Sequence, residues 1–147
     1  MIIDLPDLAA MQALGERIAA RLRPGDVVAF TGGLGTGKTT LSRAILAALG
    51  YEAEVPSPTF TIIETYDPPA VRLPLVHADF YRLEHPGEVD EIGLDDYREG
   101  AALLAEWPDH AGGFAHEAAC LSIALEISGN GRKAIVEAGP DWLERMP

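Results

Sequence analysis

Phe30-Thr31-Gly32-Gly33-Leu34-Gly35-Thr36-Gly37-Lys38-Thr39-Thr40-Leu41 is the stretch on which the fold turns. Gly32, four residues, then Gly37-Lys38-Thr39 satisfy the G-x-x-x-x-G-K-[ST] spacing of a phosphate-binding loop, the Walker A pattern. The neighbours fit. Asp26-Val27-Val28-Ala29-Phe30 before it is a short β-prone apolar run, and Leu41, Ile45 and Leu49 after it recur at helical spacing. The order is strand, loop, helix, which predicts an α/β fold.

The residue types explain the chemistry. Glycines at 32, 33, 35 and 37 are expected to supply positive φ, so that backbone N–H groups from Gly32 through Thr40, Leu34 and Thr36 included, converge on phosphate oxygens. The first turn of the following helix adds unpaired N–H groups and the positive end of its dipole. Lys38 is placed to reach the β- and γ-phosphates, and the Thr39 hydroxyl to ligate Mg²⁺. The chain has nine arginines and two lysines, Lys38 and Lys133. A composition that otherwise favours arginine thus puts a compact ammonium at this position. With no N-K-x-D sequence and Asn130 as the sole asparagine, adenine is preferred over guanine.

At 147 residues the chain is read as a single domain, residues 1–147, that buries roughly two-thirds of its unfolded surface. A formal charge of −12 argues against charge-driven contact with nucleic acid or an anionic membrane. Cys120 is the lone cysteine and fits a reducing compartment. There is no long apolar span and no basic signal-like start, so the expected location is the cytoplasm.

Along the chain, Leu8, Met11, Leu14, Ile18 and Leu22 predict a helix from Asp4 to Leu22, capped at Asp4 and stopped by Arg23-Pro24-Gly25. Its expected role is packing rather than contact with a nucleotide. Gly50 is expected to cap the helix after the loop. Val55-Pro56-Ser57-Pro58-Thr59 reads equally as a plain connection or as a switch-like loop bringing Ser57 or Thr59 to the γ-phosphate. A strand over Phe60 to Tyr66 follows, and after the Asp67-Pro68-Pro69 turn a buried strand ends at Asp79. The acidic stretch from Glu84 to Gly100, with short helical turns expected between Gly87 and Tyr97, reads mostly as a solvated face and could also dock a basic partner. Ala101 to Pro108 is a further apolar run ending in a carboxylate, Glu106. Leu121 to Ile127 and Ala134 to Glu137, around Ser128-Gly129-Asn130-Gly131, predict an antiparallel hairpin at the sheet's edge. Pro140 to Met146 is read as a short closing helix.

A phosphate-loop enzyme needs an acid at the end of a strand beside that loop, because Mg²⁺ prefers oxygen ligands. Asp79 and Glu106 both qualify, one for the metal and the other for the attacking water, and spacing alone does not divide these roles between them. His77, His85, His110 and His116 show no metal-ligand spacing and are read as structural or exposed. Trp107 and Trp142 are read as packing residues.

Taken together, G-G-L-G-T-G-K-T-T at 32–40, S-P-T-F at 57–60, H-A-D-F-Y-R-L at 77–83 and A-E-W-P at 105–108 resemble the TsaE (YjeE) family, small bacterial ATPases of tRNA threonylcarbamoyladenosine formation. The resemblance implies a P-loop NTPase-like three-layer sandwich with a mixed central sheet and a C-terminal antiparallel hairpin. It implies ATP on Lys38 and the loop glycines, Mg²⁺ on Thr39 and Glu106, Asp79 acting near the γ-phosphate, and Ser57 and Thr59 in a switch-like loop. Arg132, in the Gly-Arg turn, is expected to approach the nucleotide. TsaD-like and TsaB-like proteins are the implied partners, with tRNA held through them. The chain departs from the family pattern at Gly33, where an acidic residue is common. Two other classes compete: a small-metabolite kinase, for which Arg132 and Arg145 make a poor lid, and a nucleotide-gated adaptor without catalysis.

Overall fold

The computed structural model describes residues 1–55 and 62–147; Ser57 and Thr59, and with them the switch-like loop, lie outside the described residues. The elements are β1 (Ile2–Leu5), α1 (Leu8–Arg21), β2 (Val27–Thr31), α2 (Lys38–Ala48), β3 (Ile63–Tyr66), β4 (Leu75–Asp79), α3 (Glu88–Glu91), α4 (Leu94–Arg98), β5 (Ala102–Glu106), β6 (Cys120–Ser128) and β7 (Gly131–Ala138). Two 3₁₀ turns, Pro108–Ala111 and Pro140–Trp142, follow β5 and β7. The second is shorter than the helix expected to reach Met146.

The strands form one seven-stranded sheet in the order β1-β7-β6-β2-β5-β4-β3. β6, β2, β5 and β4 run parallel, while β1, β7 and β3 pair antiparallel, so the sheet is mixed. Two-sided burial explains the parallel part. β4 and β5 are buried along their whole length and β2 over Val27–Phe30, which is why these strands read as nearly unbroken apolar runs. Their alternating side chains feed two cores. Val28, Phe30, Leu75, Ala102 and Leu104 pack with Leu14 and Ile18 of α1 and Leu41 and Ile45 of α2. Val27, Ala29, Val76, Leu103 and Ala105 pack on the opposite face with Phe80, Leu94 and Phe114.

Two expectations fail at the N-terminus and at the edge. Asp4 lies within β1, which pairs with β7 from Ile2↔Ile135 to Leu5↔Arg132. Asp7 is the cap instead, its Oδ1 accepting the Ala10 N–H at 2.9 Å. Pro6, which lacks an N–H, separates the two elements, and the free edge of β7 offers the first residues hydrogen bonds that a helix start would leave unmade. The β6–β7 hairpin forms as expected, yet β1 covers it and takes the edge. In the stretch read as a strand from Phe60, the described strand is Ile63–Tyr66, and it pairs antiparallel with β4.

Candidate functional site

Register sets the site. β2 and β5 pair Phe30 with Glu106, and β4 and β5 pair Asp79 with Glu106, so both acids stand in one row at the C-terminal ends of parallel strands. The glycine loop leaves β2 one residue past that row. This is where open α/β sheets hold their ligands.

Within the loop, Gly32, Gly35 and Gly37 take φ of 139°, 77° and 107°, whereas Gly33 does not take a positive φ. At Gly32 the requirement is also spatial, since a Cβ would come 2.5 Å from the Leu125 carbonyl oxygen and 2.7 Å from Thr36 Oγ1. Thr36 Oγ1 donates to the Gly33 carbonyl at 2.8 Å and braces the bend. Leu34, 75% exposed, stands at the mouth.

Lys38 opens α2 and its ammonium donates to the Gly32 and Gly33 carbonyls at 2.7 and 2.8 Å. The Trp107 ring centroid lies 4.5 Å from the same nitrogen. Burial pushes the Lys38 pKa down, opposed by the negative charges of Glu106 and Asp79. Next along α2, the Thr39 hydroxyl donates to Glu106 Oε1 at 2.8 Å, which joins helix and strand across the site. The other oxygen, Glu106 Oε2, meets His77 Nε2 at 2.6 Å. Asp79 Oδ1 accepts the Tyr81 N–H at 2.9 Å.

Two cavities meet at Gly35, Gly37 and Thr40. One, of about 240 Å³, is walled by Leu34, Lys38, Thr39, Asp79, Glu106 and Trp107. The other, of about 230 Å³, lies between Asp7, Leu8 and Met11 at the start of α1 and Asn130, Gly131 and Arg132 of the hairpin turn. Gly131 makes that approach feasible: a Cβ there would come 2.6 Å from the Leu5 carbonyl and 2.7 Å from Pro6 Cα. Arg132 Nη2 donates to the Gly35 carbonyl at 3.0 Å, which ties the hairpin to the loop.

The profile of the family described as threonylcarbamoyl adenosine biosynthesis protein TsaE matches residues 5–135. The chain belongs to the TsaE family. It is 43% identical over 97 residues to the tRNA threonylcarbamoyladenosine biosynthesis protein TsaE of Bacillus subtilis, a match covering 65% of this chain and 59% of that one. To the TsaE protein of Streptomyces coelicolor it is 41% identical over 98 residues, covering 66% of each. The aligned stretches span 59% and 66% of these relatives' lengths, less than two-thirds of each. The crystal structure of Bacillus subtilis YdiB superposes with a TM-score of 0.77 at 27% identity, covering 99% of this chain and 90% of that one.

Within this TsaE-family chain, the loop residues, Asp79, Glu106 and Arg132 are thus gathered at one end of the sheet. Three contributors escaped the sequence reading. His77 is no free-standing core histidine, because it grips Glu106; its spacing of two from Asp79 in a strand was the available signal, since such residues share a face. Trp107 is more than packing. It holds a left-handed backbone at φ 55°, ψ 52°, and its ring forms a triangle with those of Tyr81 and His110, whose centroids lie 4.9 and 5.5 Å from it and 5.9 Å from each other, beside the lysine. The start of α1, for which packing is the preferred reading over nucleotide contact, walls the second cavity.

Proposed function

We propose that this chain binds ATP with Mg²⁺ in the groove of the glycine loop and hydrolyses it in support of threonylcarbamoyladenosine formation on tRNA. In this reading residues 1–147 form one P-loop NTPase-like domain. The observation that carries it is the 2.8 Å hydrogen bond from Thr39 to Glu106 at the mouth of the loop. A hydroxyl and a carboxylate brought together beside a phosphate nest form a hard oxygen pair that suits Mg²⁺, which takes few protein ligands and completes its octahedron with phosphate and water. Among the described residues no cluster of three or more His, Cys, Asp or Glu side chains could hold a metal alone, in keeping with a cation that arrives with its nucleotide.

The roles follow from position. Backbone N–H groups from Gly32 to Thr40 bind the phosphates, and Lys38 exchanges its carbonyl partners for phosphate oxygens. Thr39 and Glu106 would ligate Mg²⁺, which when bound neutralises charge on the phosphate oxygens. Asp79, in the same row as Glu106, orients and deprotonates the attacking water. The cavity beside Asp7, Met11 and Arg132 receives the nucleoside, with adenine as its base. An acid side chain after Gly32 would have open space around it, because a Cβ at Gly33 meets nothing within 4 Å. Whatever such an acid does elsewhere, Asp79 and Glu106 supply the carboxylates here.

The charge of −12 supports a division of labour in which TsaD-like and TsaB-like proteins hold the tRNA. Hydrolysis is accordingly expected to depend on those partners, in the cytoplasm; among the described residues no helix is long and apolar enough to cross a membrane. The experiment is ADP release from ATP, with and without TsaD-like and TsaB-like proteins, for wild type, Lys38→Ala and Asp79→Asn. Lys38→Ala should weaken ATP binding about 10- to 100-fold through loss of a charge-assisted contact. Asp79→Asn should retain ATP while losing about 100-fold or more in turnover. Equal turnover in all three proteins would refute the assignment, and tRNA modification that survives in Asp79→Asn would favour an adaptor.

A further inference from the structure

His77 is fully buried in the middle of β4, among strand neighbours Leu75, Val76 and Ala78 that are all apolar. A position needed only for packing would be served by another aliphatic residue, without the cost of taking an imidazole out of water. The ring spends one nitrogen on Glu106 Oε2, at 2.6 Å, while its buried Nδ1 has no partner among the described residues. An unpartnered lone pair is cheaper than an unpartnered buried N–H, so the proton belongs on Nε2 and is donated to the carboxylate. The contact is therefore directional, and it is held despite a wasted acceptor.

Its consequence lies at the other end of the same carboxylate. With Oε2 tied to β4, rotation of the Glu106 carboxyl is blocked, and Oε1 is the oxygen turned toward the Thr39 hydroxyl. We propose that His77 is a positioning residue for the cation site, fixing the plane of Glu106 so that Oε1 and Thr39 Oγ1 face a divalent ion together. This deepens the metal assignment above and rests on it.

The test is Mn²⁺ binding in the presence of ADP, followed by electron paramagnetic resonance, on wild type, His77→Leu, His77→Gln and Glu106→Gln. Thermal unfolding and ADP affinity in EDTA are recorded for the His77 variants alongside. Loss of a partner that orients a metal ligand costs about 10- to 100-fold in metal affinity, which is the expected weakening for His77→Leu. His77→Gln, whose amide reaches as far as Nε2, should restore most of it, and ADP affinity in EDTA should stay at the wild-type value in both. Should the leucine variant fail to fold, His77→Asn replaces it with the same expectation, because its shorter amide stops short of Glu106. Wild-type Mn²⁺ affinity in His77→Leu, or in its asparagine substitute, beside a weakened Glu106→Gln overturns the positioning role and leaves the metal assignment standing. Wild-type affinity in Glu106→Gln overturns both. A merely structural histidine would lower the unfolding temperature of His77→Leu and leave Mn²⁺ affinity of the folded protein unmoved.

Discussion

Tyr66 ends β3 with its ring against Tyr51, edge to face at 4.8 Å, and only 6% of its surface exposed. Its hydroxyl is buried and has no hydrogen-bond partner among the described residues. Burial pushes the phenol up to about 12, with Tyr51 and Glu64 adding to the rise and Arg43 opposing it. Tyr66→Phe removes a desolvated group that gets nothing back, so stability should rise by about 1 kcal/mol in urea melts at neutral pH. A loss of stability instead would mean that the hydroxyl is bonded after all. Because the folded pKa lies above the unfolded one, the tyrosine's contribution is constant below pH 10 and is lost as pH climbs toward 12. The advantage of the phenylalanine variant should therefore widen over that window. Residues of this kind are where sequence reading is weakest. The place of Lys38 and Thr39 beside the glycine loop is legible because a fixed spacing encodes it, whereas the contacts of His77 and Trp107 depend on which strand lies beside which, and no local pattern carries that.

Helix α1 shows what periodicity does and does not convey. Met11, Leu14 and Ile18 announce the buried face, yet Gly15 in the same helix is the residue that fixes how closely α2 can approach. A Cβ at Gly15 would stand 2.6 Å from Ala44 Cβ, 3.0 Å from the Ala44 carbonyl carbon and 3.1 Å from the Ile45 nitrogen. Two of those three atoms are backbone and yield only if α2 moves as a unit. Gly15→Ala gains about 1 kcal/mol of helix propensity and loses about 1–3 kcal/mol to overpacking. The expected net is a destabilisation of about 1 kcal/mol in the urea midpoint, against the usual sign of a helical Gly→Ala change. Since α2 begins with Lys38 and Thr39, to which we assign the phosphates and Mg²⁺, the same displacement should on that proposal weaken ATP binding. Unchanged affinity in a destabilised variant would show that α2 pivots about its loop end. The apolar strands were legible for the complementary reason, burial on both faces, while β1 was hidden by a short sequence whose pairing partner lies some 130 residues away, Ile2 opposite Ile135.

On the scale of the whole molecule, the sheet has a working end and a fastened end. At the fastened end Arg145 reaches back from beyond β7 to Asp26, just before β2, with Nη1 and Nη2 donating to Oδ2 and Oδ1 at 2.7 and 2.8 Å. Nη1 also donates to the Arg21 carbonyl at 2.7 Å, and the guanidinium lies 4.2 Å from the centroid of the Trp142 ring. Asp26 is buried, so removing its cation strands a carboxylate away from water. Arg145→Ala should cost about 3–5 kcal/mol, and adding Asp26→Ala should return part of that loss rather than deepen it. β2 spans Val27–Thr31, so about 17 Å of strand separates this pair from the glycine loop. ATP affinity of folded Arg145→Ala, measured well below its unfolding temperature, should therefore match wild type while its denaturation midpoint falls. If affinity fell in step with stability, the two ends of the sheet would be coupled through β2, and the fastening at Asp26 would have to be counted as part of the proposed nucleotide site.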